Sequence, residues 1–253
     1  MRTKSSFLSV TAILGILVAF VFLQLPTPAN ALPCVAESLA NYVTLGHSGC
    51  QIGDKIFHDF RYSPTSYGGG VPVPASGIGV VPIDLPLLAE IDFNGLFAAG
   101  PYQGVDGVIR FTVGVLPGGN LIDDLGLTQG GSVVYGTGIA GVGEDACAGG
   151  LLTGGCVGGV PLHLQTVVAF GGGLSITSAH VNFSPVSTID VIKDIGVTGG
   201  QYGLALLSHV TNEFSEAPGG GGGGEVPEPG TWVLMGSGFL GLFGIARKRL
   251  ALR

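Results

Sequence analysis

Residues 108–115 set the first constraint on this chain. Ile109, Phe111, Val113 and Val115 alternate with Arg110, Thr112 and Gly114. Successive side chains of an extended chain point to opposite faces, so this is a strand with one dry face and one wet face. Half-buried strands of this kind belong to antiparallel sheets. Leu162, Leu164, Thr166, Val168 and Phe170 repeat the pattern against His163, Gln165 and Val167. Further strands are predicted over residues 78–83, 87–97, 121–127, 132–135, 174–183 and 187–197. Residues 202–214 are read as the last strand, with Gly199, Gly200 and Gly203 at its start. A helix is the rival there, because Leu204, Leu207 and Val210 also share a helical face. Short strands at regular spacing, separated by Gly and Pro turns, predict an all-β fold, an antiparallel β-sandwich.

Two stretches are read as loops: residues 64–77, rich in Gly, Pro and Ser, and residues 136–159, the most glycine-dense part of the body. In residues 50–62, Ile56, His58, Phe60 and Tyr62 are placed on one face and Phe57, Asp59 and Arg61 on the other.

Charge narrows the function classes. Charged residues are 11% of the chain, against about 25% in ordinary globular domains. Residues 32–224 carry four basic side chains, Lys55, Arg61, Arg110 and Lys193, and fifteen acidic ones, a formal charge of −11. Such a body repels phosphates, which argues against nucleic acid as a partner.

The N-terminus reads as an export signal over residues 1–31. Arg2 and Lys4 precede an apolar stretch from residue 7 to 25. Pro26 and Pro28 break it, and Ala29-Asn30-Ala31 has the small-x-small form of a cleavage site. Cleavage is expected after Ala31; an uncleaved anchor is the alternative. The body is then residues 32–218, followed by a linker at 219–225 that opens with six consecutive glycines.

The last twenty-eight residues have three parts. Pro227, Glu228 and Pro229 are extended, because proline fixes φ and removes a donor. An uncharged run follows, read as a membrane-spanning helix at about 231–246, short beside the ~20 residues a span usually needs. Arg247, Lys248 and Arg249 close it as a basic stop cluster, cytoplasmic by the positive-inside rule. This tail resembles the PEP-CTERM sorting signal of Gram-negative bacteria. The resemblance implies exosortase as a partner, an inner-membrane-anchored precursor, and delivery to the periplasm, cell surface or extracellular matrix. A plain tail anchor is the bland alternative. The stretch G-C-Q-I-G-D-K-I-F-H-D-F-R-Y also resembles the opening of one recurrent group of PEP-CTERM proteins, and implies no activity.

Export places the body in an oxidising compartment, where Cys34, Cys50, Cys147 and Cys156 are expected to form disulfides. Four cysteines allow three connectivities. The sequence-local pairing, Cys34 with Cys50 and Cys147 with Cys156, is preferred. No metal and no cofactor are expected, since these spacings are wide for a zinc site.

The search for catalysis returns little. Gly236, Gly238 and Gly241 match G-x-G-x-x-G only inside the apolar tail. The histidines at 47, 58, 163, 180 and 209 are read as strand or loop residues, and the Gly46-His47-Ser48-Gly49 stretch lacks an orienting acid. Asp123-Asp124 and Glu144-Asp145 are read as solvated surface acids, with calcium the alternative. No catalytic residue is assigned. The expectation is a non-enzymatic surface or exopolysaccharide-matrix protein with a structural or adhesive role. The alternatives are a secreted β-sandwich hydrolase and a carbohydrate-binding module, the latter with Tyr62, Tyr67 and Tyr102 as its aromatic platform.

Overall fold

The computed structural model describes residues 31–170 and 173–217. Most of the expected export signal, the glycine linker and the sorting tail lie outside the described residues. No helix among the described residues is long and apolar enough to cross a membrane.

The described chain forms sixteen strands: β1 (Glu37–Ser38), β2 (Cys50–Ile52), β3 (Lys55–Tyr67), β4 (Gly79–Leu85), β5 (Leu88–Ala99), β6 (Gly104–Val115), β7 (Ile122–Gly130), β8 (Val133–Tyr135), β9 (Ile139–Ala148), β10 (Leu151–Leu152), β11 (Cys156–Val157), β12 (Val160–Ala169), β13 (Leu174–Ile176), β14 (Ser178–Val186), β15 (Thr188–Thr198) and β16 (Leu204–Glu216). One sheet runs β13-β12-β9-β15-β6-β3-β2. The other runs β1-β4-β5-β16-β7-β14, with β8 also on β16. All their ladders are antiparallel. Residues 202–214 resolve as strand, because β16 pairs along most of its length with both β5 and β7.

The two inner faces share one apolar core. Phe111 on β6 stands at its middle. Its ring lies 5.3 Å from Phe60 and 6.2 Å from Phe57 on its own sheet, and 5.9 Å from Phe93 and 6.2 Å from Phe214 on the other. Large rings filling the gap between sheets supply much of the burial that holds a sandwich together.

A short helix, α1 (Leu39–Thr44), precedes β2 and was not legible in the sequence. Its N-cap Ser38 accepts from the Asn41 backbone N–H. Leu39 and Tyr42, three apart, bury one face, and the Tyr42 ring meets Phe60 edge-on at 5.1 Å. Six residues are too few to show a periodicity, and packing rather than propensity holds them helical.

Several expectations are corrected. The 64–77 loop begins later, because β3 continues to Tyr67 against β6. Pro64 is tolerated because β2 covers only Lys55–Phe57, leaving this part of β3 at the sheet edge. The 136–159 loop is mostly strand, with β9 lying between β12 and β15. Its inward residues Ala140, Val142 and Ala146 are small, and Gly141 and Gly143 take the outer face, so the alternation is muted. Strand β7 runs on to Gly130, with Gln129 buried. The strand predicted over 174–183 is two strands on different sheets: β13 pairs β12 and β14 pairs β7. In β3 a bulge falls between His58 and Arg61, with Asp59 at φ 57. It turns Phe60 to the same buried side as Phe57, against the simple alternation.

Candidate functional site

Glycines cut a groove into the outer face of the first sheet. Gly141 and Gly143 on β9 and Gly196 on β15 present no side chain there, and Gln165, Val167, Tyr67 and Asp106 line its sides, enclosing about 360 Å³. A methyl group added at Gly143 would meet nothing within 4 Å. Asp194 also lines the groove. Partial burial, then the charge of Asp106, raises its carboxyl pKa.

Tyr67 links this groove to a set of turns at one end of the sandwich. Its hydroxyl donates to Thr198 Oγ1 at 3.0 Å. Tyr102, at φ 63, donates its backbone N–H to Gly200 O at 2.6 Å. Thr137 Oγ1 donates to Gly199 O and accepts from Tyr202 N. The Tyr102 and Tyr202 rings meet edge-on at 6.3 Å. Tyr67, Tyr102, Tyr135 and Tyr202 are all more than half exposed. Tyr62, placed in the platform by its sequence, is instead half-buried. It donates to Val73 O at 2.8 Å, and burial pushes its pKa up to about 12. Tyr135 and Tyr202 were missed because only the strand pairing brings their turns together.

Two of the four basic residues of the body are internal, while Arg110 is partly exposed and Arg61 exposed. Lys55 and Lys193 are fully buried. Lys193 pairs with Glu144, and Asn212 Nδ2 reaches both Glu144 oxygens at 2.8 Å from the opposite sheet. Lys55 pairs with Asp54 and, at 2.8 Å, with Glu216 of the opposite sheet. Glu144 is thus a buried inter-sheet residue and not a solvated acid, whereas Asp145 beside it is exposed. Asp123 and Asp124 are half-buried on β7, where Asp124 accepts from Ser215.

The structure joins Cys34 to Cys50 and Cys147 to Cys156. The second bond pins the β10–β11 hairpin over the outer sheet face. Beneath it, Asp190 accepts from Arg110 Nη2 at 2.7 Å and from the Leu152 backbone at 2.9 Å.

One cluster has no counterpart in the sequence reading. His47 stands on the 3-10 turn Gly46–Ser48, and His58 and Asp59 stand on β3. His47 Nδ1 and His58 Nδ1 lie 3.0 Å and 2.8 Å from the same oxygen, Asp59 Oδ2. The hydrogen bond with His47, acting against burial and joined by that with His58, holds the Asp59 carboxyl below its usual range. Gly49, at φ +60, brings the turn against β3; a Cβ there would stand 2.3 Å from Phe57 O. The three ligand-bearing atoms lie within 4.8 Å of one another.

The sorting residues Pro227, Glu228, Pro229, Arg247, Lys248 and Arg249, and Ala29 of the signal cleavage site, lie outside the described residues. Comparison of the sequence with known families decides the tail. Residues 225–249 carry the PEP-CTERM protein-sorting motif. This motif implies exosortase as the processing enzyme and an exported, membrane-anchored precursor that is processed to the cell surface. No curated protein matches the chain. Solved structures similar to it include TmCBM61 in complex with β-1,4-galactotriose, at 10% identity over 62% of this chain and 88% of that one, TM-score 0.33. The low-affinity xylan-binding module CBM86 from Roseburia intestinalis matches at 13% identity over 64% and 99%, TM-score 0.21. The CBM22-1 xylan-binding domain of Paenibacillus barcinonensis Xyn10C matches at 11% identity over 76% and 100%, TM-score 0.23. Likeness at these scores carries no argument about this chain.

Proposed function

We propose that this is a non-enzymatic protein of the cell surface or exopolysaccharide matrix, with a structural or adhesive β-sandwich body sorted and processed by exosortase through its tail. The PEP-CTERM motif at residues 225–249 is the observation that carries the reading. The body suits that setting. Two disulfides staple it, and its two lysines are buried in ion pairs, Lys55 with Glu216 of the opposite sheet and Lys193 with Glu144 of its own. The test is fractionation of wild-type and exosortase-deleted cells. Uncut precursor retained in the membrane of the deletion strain supports the proposal, and identical fractionation in both strains sinks it.

A second reading, binding of a polysaccharide chain, is favoured by the groove beside Tyr67 and by the exposed Tyr102–Tyr202 pair. An open trough with one aromatic ring on its wall and a further exposed pair of rings at the same end of the sandwich suits an extended polar polymer whose apolar faces stack on the rings. It refines the adhesive role rather than replacing it.

A further inference from the structure

We propose that His47, His58 and Asp59 bind one divalent transition-metal ion of the zinc class, with further coordination open to solvent. The first reason is where the side chains point. In a regular strand His58 and Asp59 would project to opposite faces. Here the bulge between His58 and Arg61, with Asp59 in the left-handed region at φ 57, brings His58 Nδ1 to 2.8 Å from Asp59 Oδ2. A non-glycine residue held at positive φ is a cost that folds concentrate at functional positions. Bulges re-aim side chains in the same way.

The second reason is the donor set. Two imidazole nitrogens and one carboxylate oxygen suit zinc and its transition-metal neighbours, whereas calcium and magnesium take oxygen ligands. Zinc bonds of about 2.0–2.1 Å place tetrahedral ligand atoms about 3.3 Å apart. The two nitrogen–oxygen separations here, 3.0 Å and 2.8 Å, are near that edge.

The third reason is that the site is built in advance. Gly49 lets the His47 turn press on the Phe57 backbone, and Cys50, bonded to Cys34, pairs with Phe57 on β3. The segment carrying His47 is therefore stapled beside the strand carrying the other two ligands. The His47 side chain is itself 88% exposed, so an ion reaches it without unfolding. The body's formal charge of −11 favours a cation. Of its four basic side chains, Lys55 and Lys193 are buried in ion pairs and Arg110 is tied to Asp190, which leaves Arg61, exposed on β3, as the opposing charge. Two other histidines meet a carboxylate, His163 with Asp145 at 2.8 Å and His180 with Asp124 at 3.7 Å. Neither pair belongs to a group of three potential ligands among the described residues.

The test uses the full-length protein, purified in detergent without a histidine tag and stripped with a chelator. Zinc is titrated calorimetrically, and cobalt is followed by its visible d–d absorption. One ion per chain is expected. His47→Ala and Asp59→Asn are each expected to weaken zinc at least about tenfold and to bleach the cobalt band. His163→Ala should leave both unchanged. His47→Ala is the deciding variant, because its side chain lies on the surface, and near-UV circular dichroism verifies its fold. Absence of zinc binding, or affinity unchanged in folded His47→Ala, overturns the proposal.

Discussion

Glu144 and Lys193 sit opposite each other on β9 and β15, and neither side chain reaches solvent. Asn212 completes the arrangement from the opposite sheet, donating to both carboxylate oxygens at 2.8 Å. Burial lowers the Lys193 pKa, with the Glu144 charge opposing it. A charge removed from water here is stable only while its partner is present. Glu144→Ala, leaving a buried lysine, is expected to cost about 3–5 kcal/mol in urea denaturation. Glu144→Leu/Lys193→Met should lose less than the two single changes summed, with a coupling of about 1–3 kcal/mol in the double-mutant cycle. Additive losses would show that Glu144 and Lys193 do not stabilise the fold as a pair.

Phe111 is expected to be the costliest single truncation in the apolar core. It is fully buried and touches rings on both sheets. Phe111→Ala should destabilise by about 3–5 kcal/mol, and Phe111→Leu by clearly less, since the cavity is smaller. Equal losses would mean the neighbouring rings collapse into the gap.

The Cys147–Cys156 bond should act locally as well as globally. Its loop is short, with a sequence separation of 9. Cys147→Ser/Cys156→Ser is expected to cost about 2–3 kcal/mol in the chain-entropy model. The freed hairpin would also uncover Asp190, which accepts from the Leu152 backbone. Limited proteolysis should then cut between residues 149 and 158 first. A cleavage pattern like that of the wild type would show that the hairpin holds without its bond.

Acid should loosen the edge held by Asp54. Burial works to raise its pKa, but the hydrogen bonds from Lys55 and the Asn120 backbone outweigh it, so the folded value lies below the ordinary one. A depressed carboxylate pKa adds stability that is complete above the unfolded value, about 3.9, and is lost as pH falls through the folded value. The melting temperature should therefore drop more steeply below about pH 4 in the wild type than in Asp54→Asn. Parallel curves would place the acid sensitivity elsewhere.

The groove and its tyrosines can be separated by substitution. Gly143→Leu fills open space on the outer face, and Tyr67→Ala and Tyr202→Ala remove exposed rings. If the body binds polysaccharide, all three should reduce retardation in affinity electrophoresis through the producing strain's own exopolysaccharide, with melting temperature little changed. Loss in none of them would leave the body purely structural.

Much of the architecture was legible because alternation reports burial directly. Ile109, Phe111 and Val113 read as one inward face and are fully buried. β9 was hidden because glycine carries no burial signal and Glu144 carries a misleading one. A charge reads as solvent-facing until its partners, Lys193 and Asn212, are placed beside it. The His47–His58–Asp59 cluster was hidden for a related reason. Strict alternation puts neighbours on opposite faces, and only the bulge at Asp59 breaks it.

The sequence alone determined the targeting of this protein, because sorting signals are contiguous segments whose properties are local: two prolines, an apolar run, a basic end. It also determined the all-β class, since a period of two survives in any extended segment. Tertiary structure decided which charges are buried, which tyrosines share an end of the sandwich and which histidines face one carboxylate. The buried charges and the tyrosines are brought together by strand pairing between residues far apart in the chain, and the histidines by a bulge and a turn that break the local alternation. No local pattern encodes a partner that arrives from the opposite sheet.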